Sequence, residues 1–69
     1  MPKQYSSEEV IKILIERKFR FISQKGSQAK YRKNNFTVII PVGRKEIPLG
    51  TVRSIMRQAG LQKKDLPRL

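Results

Sequence analysis

Gly26-Ser27-Gln28-Ala29-Lys30-Tyr31-Arg32-Lys33 decides how this chain folds. It opens on a turn pair and continues into a strand whose side chains alternate. Side chains repeat every two residues along a strand, so Gln28, Lys30 and Arg32 share one face and Ala29 and Tyr31 the other. Such a strand packs a core with one face and offers an anion surface with the other.

On the N-terminal side, Phe19 to Gln24 is predicted as a first strand, with Phe19, Phe21 and Ile22 as its apolar residues and Lys25-Gly26 as the turn signal. Before it, Ser6 with Glu9 three residues on fits a capping box, and Tyr5 facing Val10 fits a hydrophobic staple. The apolar residues Val10, Ile11, Ile13, Leu14 and Ile15 make a wide stripe. These signals predict a core-facing helix over Ser7 to Lys18, with Arg17 and Lys18 in its last turn. On the C-terminal side, Asn34-Asn35 suits a two-residue hairpin turn through positive φ. Phe36 to Ile40 is β-branched almost throughout and predicts a third strand ending at Pro41. Val42 to Gly50 is expected as a loop with Arg44 and Lys45 exposed. Val52, Ile55, Met56 and Ala59 then follow helical spacing and predict a second helix over Thr51 to Ala59. Gly60 is placed as its left-handed cap and Leu61 as the accompanying apolar contact.

The expected architecture is therefore α+β in the order α-β-β-β-α. A three-stranded antiparallel sheet carries both helices on one face, because each helix has a single apolar stripe. Sixty-nine residues make one domain, 1–69, with a modest core. Residues 1–5 and 62–69 are expected to be loosely ordered.

Charge dominates the composition. The formal net charge is +11, and from Arg17 through Lys45 there are nine basic residues and no acidic one. A regional field of this kind points to a polyanion: nucleic acid first, an acidic protein second, an anionic membrane third. The chain has neither cysteine nor histidine. That excludes a disulfide framework, a thiol nucleophile and a Cys/His zinc site. It also removes the side chain that most often moves protons near neutral pH. No cofactor and no metal site is expected. No apolar run has the length of a membrane span and nothing resembles a signal peptide, which predicts a cytoplasmic protein.

Lys30 and Arg32 share the face of Gln28 and would meet phosphates there, or would form an ordinary solvated strand face. Lys25 flanks a turn whose backbone amides can also meet a phosphate. Arg53 and Arg57 lie four residues apart on one face of the second helix, where they would either grip a phosphate backbone or keep the helix soluble. Stacking of Tyr31, Phe19, Phe21 or Phe36 on bases is the lesser expectation; core packing is the greater.

Three segments carry a family resemblance. They are Lys25-Gly26-Ser27 with Lys30-Tyr31, the strand Thr37 to Pro41, and the run Lys45 to Leu61 with its Gly50-Thr51 helix start and Arg57-Gln58-Ala59-Gly60 ending. Together the chain resembles the HicA toxins of type II toxin–antitoxin pairs. The resemblance implies a fold similar to the double-stranded-RNA-binding domain. It implies an mRNA interferase, an endoribonuclease that arrests translation, paired with a HicB-like antitoxin that masks the site. The toxin would be a monomer alone and part of a hetero-oligomer with its antitoxin. It also implies a catalytic histidine directly after the Gly-Ser pair, a position held here by Gln28. An amide can hydrogen-bond but cannot take a proton from a hydroxyl. The expectation is therefore RNA binding through Lys25, Ser27, Lys30, Arg32, Arg44, Lys45 and Arg53 with impaired cleavage. The alternative is a non-catalytic RNA-binding module.

Overall fold

The structure is a computed structural model, and it describes residues 5–62. The element order is α1 (Ser7–Glu16), β1 (Arg20–Lys25), β2 (Gln28–Lys33), β3 (Phe36–Pro41) and α2 (Leu49–Gln58). The strands form one antiparallel sheet in the order β1-β2-β3. This is the α-β-β-β-α, α+β arrangement expected from the sequence. The tail expectations for residues 1–4 and 63–69 fall outside the described residues.

Helix α1 begins as its capping box predicts. The Ser6 hydroxyl accepts from the Glu9 N–H, and the Glu9 carboxylate accepts from the Ser6 N–H. The helix ends two residues earlier than expected, at Glu16. Arg17 caps it and Lys18 takes φ +75°, left-handed for a residue with a Cβ. The Phe19 N–H donates to the Leu14 carbonyl and the Lys18 N–H to that of Ile15, the bond pair of a Schellman motif. Burial of Phe19 against the core accounts for this turn. Phe19 is thus a post-helix anchor rather than the first residue of β1. The helix buries a narrower stripe than predicted: Ser7, Val10, Ile13 and Leu14. Ile11 is half-buried and Ile15 is exposed.

The three strands differ in cover. Ala29 and Tyr31 of β2 and Val38 and Ile40 of β3 are buried in one cluster with Val10, Ile13 and Leu14 of α1 and Val52, Ile55 and Met56 of α2. Both helices therefore lie on the same sheet face. Every residue of β1 is exposed, because the helices lie over β2 and β3 and leave this edge strand uncovered. Phe21, expected in the core, instead stands 55 % exposed with its ring edge-on to Tyr31, centroids 5.7 Å apart. Ile22 sits where the β1–β2 register shifts between Phe21 and Ser23, a β-bulge, and is also exposed.

Both hairpin loops have two residues, closed by Lys25–Gln28 and Lys33–Phe36. In each, only the first loop residue has positive φ: Gly26 at 60° and Asn34 at 53°. Asn35 does not take the second positive φ that a type I′ turn requires. Helix α2 starts at Leu49, two residues before the expected Thr51. Half-buried Leu49 and buried Val52 hold that first turn onto the core, so Gly50 lies inside the helix. Gly60, at φ +70°, ends α2 as predicted: its N–H donates to Arg57 and that of Leu61 to Met56.

A candidate anion-binding face around Gln28

The sheet face away from the helices is a grid set by register. Arg32 lies between Arg20 on β1 and Thr37 on β3. Lys30 lies between Ser23 and Ile39, and Gln28 between Lys25 and Pro41. Directly opposed residues on one face have Cβ atoms about 5 Å apart. Gln28, Lys30 and Arg32 are all exposed, whereas Ala29 and Tyr31 between them are buried. The alternation expected along β2 is thus realised, with Lys25 beside Gln28.

Ser27, Arg44 and Lys45 gather at the Gln28 end of the sheet. Ser27 is at the tip of the β1–β2 hairpin, and its carbonyl accepts from the Val42 N–H at 2.8 Å. This bond ties the tip to the loop after β3, which carries exposed Arg44 and Lys45. The loop is shorter than the expected Val42 to Gly50 and is held at both ends. At its far end Ile47 forms an antiparallel bridge with Tyr5, the Ile47 N–H donating to the Tyr5 carbonyl at 2.6 Å. Both side chains are fully buried. At its near end stands Ser7, a buried polar residue. Its hydroxyl donates to the Pro41 carbonyl at 2.6 Å and accepts from the Arg44 N–H at 3.0 Å. Its own N–H donates to the Arg44 carbonyl at 2.9 Å.

Arg53 does not join the grid. Helix α2 belongs to the layer on the covered face, with Val52, Ile55 and Met56 turned inward and Arg53 exposed. It stands on the far side of the sheet from Gln28. The spacing of Arg53 and Arg57 carries no information about which sheet face their helix covers, so this separation was not readable in advance.

Ser7 and the Tyr5–Ile47 bridge were missed by sequence reasoning. Ser7 follows the obvious cap residue Ser6, and its partners are 34 and 37 positions away. No local signal marks such a contact. Lys18, Arg20 and Lys33, which line one open groove with Arg32, were not singled out, because their clustering depends on the α1–β1 junction and the strand register.

Among the described residues no group of three or more His, Cys, Asp or Glu side chains could hold a metal ion. No helix among them is long and apolar enough to cross a membrane. What the face can do is bind anions: cations and an amide project together from a rigid strand, with backbone and loop cations at one end.

No curated protein matches this chain. The family model described as HicA toxin of bacterial toxin–antitoxin matches residues 7–61. That match runs from the first residue of α1 through all three strands to the apolar contact after Gly60, and the chain belongs to the HicA toxin family.

Proposed function

We propose that this chain is an RNA-binding toxin of the mRNA-interferase type whose Gln28 replaces a catalytic histidine, so that it holds RNA but cleaves it poorly. The observation that carries the reading is the grid around Gln28: an exposed amide on β2 with Lys25 opposite and Lys30 and Arg32 along the same face.

The chemistry follows from that arrangement. In metal-independent cleavage the RNA 2′-oxygen loses its proton to a base and attacks the adjacent phosphorus. The bond from phosphorus to the 5′-oxygen breaks, leaving a 2′,3′-cyclic phosphate, and that oxygen leaves as the alcohol with a proton taken from water. Lys25 and Lys30 supply positive charge where the phosphorane oxygens gain negative charge. An imidazole at position 28 would take the first proton near neutral pH. The Gln28 amide can orient the 2′-hydroxyl but has no basic atom to accept its proton. Arg32 and the loop cations Arg44 and Lys45 hold flanking phosphates, and Ser27 offers its hydroxyl at the hairpin tip. Arg53 serves this face least, since it lies on the helix layer. A HicB-like antitoxin covers the basic face and competes with RNA for it, in a cytoplasmic toxin–antitoxin complex.

A non-catalytic RNA-binding module is the second reading, favoured by the absence of histidine from the whole sequence. The test is RNA cleavage by this chain and by Gln28→His in chelator-containing buffer. The histidine variant should cut about 10²–10⁴-fold faster, the usual contribution of a positioned acid–base group. If neither cuts although both bind RNA, the binding module is correct. If neither binds, both readings fall.

A further inference from the structure

At the opposite end of the sheet from Gln28, an open groove of about 510 Å³ is lined by Lys18, Arg20, Ile22, Arg32, Lys33 and Asn34. Four of its six walls are cations. None of the four has a carboxylate partner among the described residues, and the sequence supplies no acid between Arg17 and Lys45. Arg20 and Arg32 face one another directly across β1 and β2. Like charges in that position destabilise a sheet. A merely solvated surface spreads its cations or pairs them; here four converge on one concavity at a cost to the fold.

Two of these side chains, and the backbone of a third residue, have defined contacts. The Schellman turn at φ +75° sets the position of the Lys18 backbone at the groove. The Lys33 ammonium lies 5.9 Å above the centre of the Phe19 ring. The Arg32 Nε–H donates to the Asn34 carbonyl at 3.3 Å. Among them Ile22, half exposed at the bulge, places an apolar side chain inside a ring of positive charge. A free phosphate would have no use for that contact, and a duplex would present little but backbone to it. A single strand presents both, with phosphates for the cations and a ribose or an unstacked base for the isoleucine.

We propose that this groove is a second RNA subsite, which binds the backbone of a single-stranded RNA a few nucleotides away from Gln28. The proposal rests on the RNA-binding reading above. Arg32 is four residues along β2 from Gln28, about 13 Å at strand rise, so one strand of RNA can follow β2 and occupy both ends of the face. The groove then adds affinity and fixes which nucleotide reaches Gln28.

The test is binding of a fluorescent single-stranded RNA of about 12 nucleotides, long enough for both ends, titrated across salt concentrations. Lys18→Asn/Arg20→Gln empties the groove, and asparagine tolerates the left-handed backbone at position 18. Lys25→Gln/Lys30→Gln empties the Gln28 end. Lys12→Gln/Arg57→Gln removes the same charge from exposed sites on the two helices. Thermal midpoints confirm that each variant is folded. Loss of two phosphate contacts lowers the log–log salt slope by about 1.4 for single strands. Between about 50 mM and about 200 mM salt, affinity should therefore fall about sevenfold less for the groove variant than for the unchanged chain. The Gln28-end variant should behave alike and the combined variant should lose both increments, while the helix variant keeps the original slope. If the groove variant matches the helix variant while the unchanged chain binds RNA, the groove is not a subsite and the RNA reading survives. If the unchanged chain shows no salt-dependent RNA binding, the RNA reading itself fails. If polyglutamate of matched charge displaces RNA from the unchanged chain as well as unlabelled RNA does and loses that ability in the groove variant alone, the groove is an acidic-peptide site and the proposal is overturned.

Discussion

Replacing Ser7 by alanine should destabilise this protein more than replacing the helix cap Ser6, although Ser6 is the residue that local sequence rules single out. The Ser6 hydroxyl makes one capping bond, 3.2 Å from the Glu9 N–H at a half-buried site. Its loss costs about 1 kcal/mol. The Ser7 hydroxyl makes two bonds, 2.6 Å to the Pro41 carbonyl and 3.0 Å from the Arg44 N–H, at a side chain only 2 % exposed. Each such bond contributes about 0.5–1.5 kcal/mol, and a partner left unsatisfied adds to the loss. Arg44 is exposed, so water can reach its N–H, whereas Pro41 is half-buried. The total is about 2 kcal/mol. In a domain of this size 1 kcal/mol moves the melting midpoint by about 4–8 °C. Ser7→Ala should therefore lower it by about 8–16 °C and Ser6→Ala by about 4–8 °C, read by circular dichroism. Urea unfolding should show a lower midpoint at unchanged slope. An effect of Ser7→Ala equal to or smaller than that of Ser6→Ala would refute the account of the hydroxyl as the link between α1, the end of β3 and the cationic loop.

A Cβ at Gly60 would lie 2.6 Å from two ring carbons of Phe36, in addition to occupying φ +70°, whereas one at Gly43, at φ +74°, meets nothing within 4 Å. Gly43→Ala should therefore cost the backbone penalty alone, about 1–2 kcal/mol, and Gly60→Ala about 1 kcal/mol more, with the excess vanishing in a Phe36→Ala background. Arg20→Gln relieves the repulsion of Arg32 across the strands, so it should raise stability by about 0.2–1 kcal/mol while weakening RNA binding; a loss of stability would contradict the like-charge argument. Cleavage by Gln28→His should decline as pH falls below about 6.5, because a protonated imidazole accepts no proton; a rate that is flat across that range would place the base elsewhere.

What could be read from the sequence was what is periodic or local. The two-residue alternation of Gln28 to Lys33 predicted which side chains of β2 face the core and which face water, because the pleat leaves no other choice once one face is buried. The Ser6–Glu9 capping box and the Gly60 cap were legible for the same reason, since each satisfies orphan backbone groups within a few residues. From these came the order of elements and the outward-facing residues of β2.

Tertiary structure alone decided which strand would go uncovered. Phe21 and Ile22 have the hydrophobicity of core residues, and nothing within β1 announces that neither helix lies over it. The same holds for Ile15, which helical spacing alone did not exclude from the core. Packing decided the left-handed Lys18 as well: burying Phe19 required the chain to reverse there, and that reversal carries Lys18 to the groove beside Arg20 and Lys33. Contacts such as Ser7 with Pro41 and Arg44 join positions far apart in sequence, where no periodicity connects them. Sequence determined the faces of individual elements, through repeats built into backbone geometry. Which faces were covered, and which cations met, followed only from how the elements were stacked.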